Sequence, residues 1–117
     1  MKSFISAAFL TLAVTLAAGC TTDVGADGPV VGGSCSGDKD CAHRCTKDDK
    51  FGIGMCTRTC ASDRDCPGGS VCVNEDDGVC AVSCTDNKGC EDFGRAFLCK
   101  TISRKEGAGS HLVCRLP

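Results

Sequence analysis

The stretch from Cys60 to Cys80 reads CASDRDCPGGSVCVNEDDGVC, and it decides the fold because the rest of the chain repeats its frame. Cys35, Cys41, Cys45 and Cys56 precede it, and Cys84, Cys90, Cys99 and Cys114 follow it. Five residues separate the first two Cys of each group, and three residues join one group to the next at both joints. Spacing this regular is the mark of an internal repeat. The five residues between the first two Cys agree in type as well: SGDKD, ASDRD and TDNKG place Asp, Asp and Asn at one position and Lys, Arg and Lys at the next. Such short polar side chains form turns by bonding neighbouring backbone. The third gap grows from three to five to eight residues, and the fourth runs from ten to seven to fourteen, so loops vary around a constant frame.

Composition agrees with that frame. The chain of 117 residues holds 13 Cys, 15 Gly and 5 Phe, and lacks Trp and Tyr, which leaves little for a conventional core and shifts the stabilising work to covalent bridges. The predicted class is a small disulfide-rich fold of three tandem four-Cys repeats, 35–56, 60–80 and 84–114, within a cysteine-rich domain 35–117. Short β-hairpins, irregular loops and no helix beyond two turns are expected outside the N-terminal leader. Val71–Val73 and Val79–Val82 flank a turn signal at Asp77-Gly78, the best local hairpin. Phe93–Leu98 reads as a further short strand or helical turn. Each unit allows three pairings; first-to-third with second-to-fourth is preferred, because interleaved rings restrain the unfolded chain more than two separate ones.

The N-terminus sets the compartment. Met1-Lys2-Ser3 supplies a positive charge, and Phe4 to Ala18 is uncharged and apolar but shorter than the roughly 20 residues of a bilayer span, so residues 1–19 read as a signal peptide. Leu16-Ala17-Ala18-Gly19-Cys20 resembles the lipobox of bacterial lipoproteins, which implies lipidation of the Cys20 thiol and cleavage before it. An ordinary secretory signal would instead leave Cys20 as an odd thiol. Parity favours the lipid: without Cys20, the twelve remaining Cys form an even set, as an oxidising compartment requires. Thr21 stands where enteric lipoproteins kept at the inner membrane carry an acidic residue, so the resemblance implies the outer membrane. Residues 20–34, ending GADGPVVGGS, read as the lipidated Cys and a flexible Gly-rich tether that holds the domain clear of the headgroups.

The Cys60–Cys80 unit, in the pattern Cys-x2-Asp-x-Asp-Cys-Pro-x-Gly-x2-Cys, resembles the cysteine-rich repeats of myxobacterial surface lipoproteins and, more loosely, the dickkopf N-terminal cysteine-rich domain. The resemblance implies an architecture and carries no catalytic activity. The first repeat lacks the Pro and Gly after its second Cys, and the third has Glu91-Asp92 there.

Tests for chemistry point away from an enzyme and from any cofactor. Thiolate zinc needs reduced Cys, which an exported chain oxidises first. His43 and His111 have no neighbour in sequence that marks a catalytic base and read as solvated loop side chains. Asp38/Asp40 and Asp63/Asp65 lack the complete oxygen-rich calcium loop and read as turn caps. The net charge of −2 excludes a general nucleic-acid binder. Beyond Gly94, however, Arg95, Lys100, Arg104, Lys105 and Arg115 face Glu106 alone. Lys100, Arg104 and Lys105 in the loop from Cys99 to Cys114 are candidate contacts for an anionic envelope polysaccharide; otherwise that loop is a solvated, mobile insertion. The expectation is a lipid-anchored, non-enzymatic module of the bacterial cell surface, with the membrane and a protein or anionic polymer as partners. The second reading is a protease inhibitor presenting Thr46–Met55 or Lys100–Val113 as a stapled loop.

Overall fold

The four Cys of each repeat are laid out by one antiparallel hairpin. In a computed structural model of the protein, which describes residues 23–117, β1 (Arg44–Thr46) pairs with β2 (Met55–Thr57), β3 (Ser70–Val73) with β4 (Val79–Val82), and β5 (Leu98–Ser103) with β6 (Ser110–Arg115). The leader, Cys20 and Thr21 lie outside the described residues. The registers set Cys45 opposite Cys56, Cys72 opposite Cys80 and Cys99 opposite Cys114, so the third and fourth Cys of every repeat are cross-strand neighbours. Each bonds backwards to the polar turn: Cys35–Cys45 and Cys41–Cys56, Cys60–Cys72 and Cys66–Cys80, Cys84–Cys99 and Cys90–Cys114. This is the interleaved pairing, confined within repeats. All twelve sulfurs are oxidised and none is available as a zinc-binding thiolate.

The conserved geometry of the frame starts from one side-chain oxygen. Asp38, Asp63 and Asn87 occupy the same place in the three repeats, and each accepts the backbone N–H of the third Cys, Cys45, Cys72 or Cys99, at 2.9 Å. That bond holds the polar turn against the hairpin where the first bridge closes. Asp40 and Asp65, two residues on, accept N–H groups of Ser36 and Gly37, and of Ala61 and Ser62, capping the short 3₁₀ turns Asp38–Asp40 and Asp63–Asp65. The paired carboxylates are turn caps, as their composition suggests. In the third repeat Gly89 replaces that carboxylate, and Asp86 instead caps a longer 3₁₀ segment, Asn87–Phe93, through the Gly89 N–H.

The residue preceding each repeat adds one isolated antiparallel bridge to the hairpin. Ser34 bridges Met55, Thr59 bridges Val79 and Ser83 bridges Val113, always the residue before the first Cys against the residue before the fourth. For repeats two and three the bridging residue belongs to the three-residue joint. For repeat one it comes from the supposed tether, which corrects that expectation: Asp23–Ser34 is folded onto the domain. Gly32 N–H donates to the Cys56 carbonyl and Cys56 N–H to the Gly33 carbonyl, while Val31, standing where a preceding repeat would have its fourth Cys, is fully buried against Cys60, Cys72 and Cys80. The glycines serve close approach here rather than flexibility, since a Cβ on Gly32 would overlap the Gly25 carbonyl.

The β3–β4 turn also differs from its sequence reading by one residue. Asp76 and Asp77 carry the positive φ angles (45° and 64°), and the Gly78 N–H closes the turn on the Glu75 carbonyl at 2.8 Å, as in a type I′ turn. Gly78 follows the turn because a Cβ there would overlap the Cys60 carbonyl, whose residue is bonded to it through Cys60 N–H.

The repeats are not separate beads. Phe51 and Met55 of the first, Val73, Val79 and Ala81 of the second, and Ile102 and Val113 of the third form one buried cluster. Two further expectations change with it. Phe93–Leu98 is neither strand nor helix throughout: Phe93 ends the 3₁₀ segment and Leu98 begins β5. The Cys99–Cys114 insertion is not a mobile loop, because β5 and β6 extend through most of it and Lys105 N–H reaches the Cys72 carbonyl of the second repeat. Among the described residues no helix is long and apolar enough to cross a membrane.

Candidate functional site

Between β1 and β2 the chain must turn within a disulfide-closed ring. Asp48 caps the turn by accepting the Lys50 N–H at 3.0 Å, and the 3₁₀ turn Asp49–Phe51 drives Phe51 inward until only 2 % of it is exposed. Gly52 follows at φ 84°, and Gly54 lies so close to the Cys35 carbonyl and Cys45 Sγ that no side chain fits. Ile53, held between them, points out at 84 % exposure, the largest exposed apolar side chain among the described residues.

Beside it is a cleft of about 320 Å³ assembled from three distant parts of the chain. It is lined by Ile53 and Met55 of the first repeat, Asp92, Phe93 and Phe97 of the third, and Ala26 and Asp27 of the N-terminal segment. The two Phe rings pack with centroids 5.5 Å apart, and the Phe97 ring lies over Gly52, where a Cβ would be 3.5 Å from it. The volume is at the small end of ligand-binding clefts, and the lining mixes the apolar Ile53, Met55 and Phe side chains with Asp27, Ser34 and Asp92. Sequence reading selected the Thr46–Met55 loop but missed the cleft, because Gly-Ile-Gly is a short signal and its partners come from segments that only the folded core brings together.

The sequence-predicted basic trio is not one site. Lys100 projects from β5 and Lys105 from the hairpin end, both exposed. Arg104 is turned onto the second repeat, half-buried, its guanidinium 3.5 Å from Asp63 Oδ2 and its backbone bridged to Val73. His111 differs from a solvated loop side chain too: it lies on β6, only 18 % exposed, with Nε2 3.1 Å from Asp63 Oδ1. Asp63 is thus a clasp between the second and third repeats. Desolvation pushes its carboxyl upward, but the Cys72 N–H, His111 and Arg104 outweigh that and hold it below the ordinary carboxylate range. The N–H groups of Ala61 and Ser62 hold Asp65 low as well. A matching clasp joins the first two repeats, where Arg44 donates to the Asp76 carboxylate and carbonyl and Thr46 Oγ1 donates to the same carboxylate at 2.7 Å. His43 is exposed, as expected.

Comparison with protein-family models, with curated proteins and with solved structures finds no match for this chain.

Proposed function

We propose that this protein is a non-enzymatic recognition module, held at the bacterial cell surface by a lipid on Cys20 and directed to the outer membrane by Thr21. The observation that carries the reading is Ile53: a large apolar side chain is kept 84 % exposed at the tip of a disulfide-closed loop, beside a cleft walled by Phe93 and Phe97. A stapled scaffold of this kind loses little entropy on binding. The carboxylates that might have served acid–base chemistry accept backbone N–H groups instead. The six bridges use the twelve Cys from Cys35 to Cys114 and leave Cys20 outside the set, in keeping with another covalent role. Lys100 and Lys105 remain open to an anionic polymer, with the cleft as the principal contact surface.

The test is expression of the full chain with its leader, followed by membrane fractionation and intact mass of the wild type and Cys20→Ser. The wild type should appear in the membrane as residues 20–117 plus acyl groups, and Cys20→Ser should lose both. Unmodified wild type in the soluble fraction would overturn the lipid anchor. The exposed Ile53 loop also favours a second reading, a protease inhibitor entering an apolar specificity pocket. Stoichiometric inhibition of a serine or metalloprotease by the purified protein, lost in Ile53→Ser, would establish that reading in place of the first.

A further inference from the structure

We propose that the cleft beside Ile53 takes the guanidinium side chain of an arginine on a partner protein, with the stem against Phe93 and Phe97 and the charge met by Asp27 and Asp92. This deepens the recognition role proposed above and rests on it. The argument begins with where the repeat frame is enlarged. Eight residues separate Cys90 from Cys99, the longest third gap of the three repeats, and they supply Asp92, Phe93 and Phe97 to the cleft. Counted from the second Cys, the second repeat has Gly68 and Gly69 where the third has Asp92 and Phe93. The ten residues between Cys45 and Cys56, against seven at that place in the second repeat, supply Ile53 and Met55. Residues added to a constant scaffold thus converge on one cleft, and loops displayed on a rigid frame are where binding groups concentrate.

Charge selects the occupant. Asp27 and Asp92 are exposed, and among the described residues neither takes part in an ion pair or a side-chain hydrogen bond. That sets them apart from Asp38, Asp40, Asp63 and Asp65, which accept backbone N–H groups. Arg95, close to Asp92 in sequence, pairs with neither. Residues 23–94, which supply all of the lining except Phe97, hold seven Lys and Arg against fourteen Asp and Glu, a balance that attracts cations. An apolar side chain seated here would strip water from two carboxylates and replace none of it. Arginine meets both demands, because its stem covers apolar surface while its planar head stacks on an aromatic ring and hydrogen-bonds a carboxylate. A free small cation would leave Ile53 in water; a polypeptide carrying the arginine covers Ile53, 84 % exposed, as well.

The full chain, expressed with its leader, labelled with 15N and used as purified, is titrated with capped Ala-Arg-Ala and with the same peptide carrying citrulline or leucine in the middle, each up to about 20 mM, because recognition of one side chain is of millimolar strength. The backbone signals of Ile53, Phe93 and Phe97 should move with the arginine peptide, and its Kd should be about five- to tenfold below that of the citrulline peptide, which matches its shape without the charge. The preference should vanish in Asp27→Asn combined with Asp92→Asn, and in about 1 M salt, where the Debye length is about 3 Å. Asp77→Asn, which removes a charge from the exposed β3–β4 turn outside the cleft, should keep it. Equal affinity for arginine and citrulline, or loss of the preference in Asp77→Asn, overturns the proposal. A leucine peptide that binds at the same signals as tightly as arginine overturns the cationic partner and leaves the recognition role standing. Free arginine binding as tightly as the peptide overturns the protein partner. If none of the peptides moves these signals, the arginine site and the part of the cleft in recognition fall together.

Discussion

Asp63 offers the sharpest test of the frame, because its two oxygens carry two separable duties. Oδ1 accepts the Cys72 N–H at 2.9 Å, the contact made in the first repeat by Asp38 and in the third by the neutral Asn87. The carboxylate charge meets Arg104 and His111 at 3.5 and 3.1 Å, clasping the third repeat to the second. Asp63→Asn keeps the first duty, as Asn87 demonstrates, and loses the second. With the Asp63 side chain 40 % exposed, solvent screening limits that loss to about 0.5–1 kcal/mol. Asp63→Ala loses both and leaves the Cys72 N–H without its charged acceptor, for a total of about 2–3 kcal/mol. For a domain of this size those figures correspond to falls in Tm of about 3–6 °C and 10 °C or more. Thermal unfolding followed by circular dichroism with the disulfides intact separates the two. The pH dependence gives a second readout. The folded pKa of Asp63 is lowered, so its contribution is complete above the unfolded value of about 3.9 and is lost as pH falls through the lower folded value. Asp63→Asn should therefore lie closest to the wild type in strong acid and move away from it as the pH rises through the carboxyl range. If Asn is as damaging as Ala, or if the difference from wild type is independent of pH, the division of duties is wrong.

Three other outcomes follow from the packing. Val31→Ala should destabilise the domain by about 2 kcal/mol in chemical denaturation, whereas a free tether would show no change. Gly78→Ala, with a strained φ of 99° and a clash with the Cys60 carbonyl, should sharply reduce the yield of oxidised protein; Gly37→Ala, in open space with extended backbone, should refold like wild type. Non-reducing peptide mapping should find Cys35–Cys45, Cys60–Cys72 and Cys84–Cys99 with their interleaved partners, and any bridge between repeats would refute the self-contained units.

The hairpin between Val71 and Val82 was readable locally, but its turn residues were not. Asp77-Gly78 has the composition of a turn centre, yet the close passage of the Cys60 carbonyl reserves Gly78 for the position after it. Similarly, GADGPVVGGS has the composition of a linker. Its glycines are required because the backbone presses against itself and against Cys56, a contact between residues more than twenty positions apart that no local pattern records. The cleft escaped for the same reason: Ile53, Phe97 and Ala26 carry no mutual spacing.

The regular Cys spacing and the Asp, Asp and Asn at one place in the frame were enough to determine three repeats, their count of bridges and the role of the acidic pairs, because these features arise within twenty to thirty residues and depend on short-range turn chemistry. The sequence also marked Cys20 apart from the twelve. What only the tertiary structure decided is how the repeats meet: the shared cluster of Phe51, Met55, Val73, Val79, Ala81, Ile102 and Val113, the docking of Val31, the diversion of Arg104 and His111 to Asp63, and the outward aim of Ile53. Those depend on the order and rotation with which the hairpins pack. Burial and charge pairing between distant residues are properties of that arrangement, and the same residue types in a differently stacked ladder would face other neighbours.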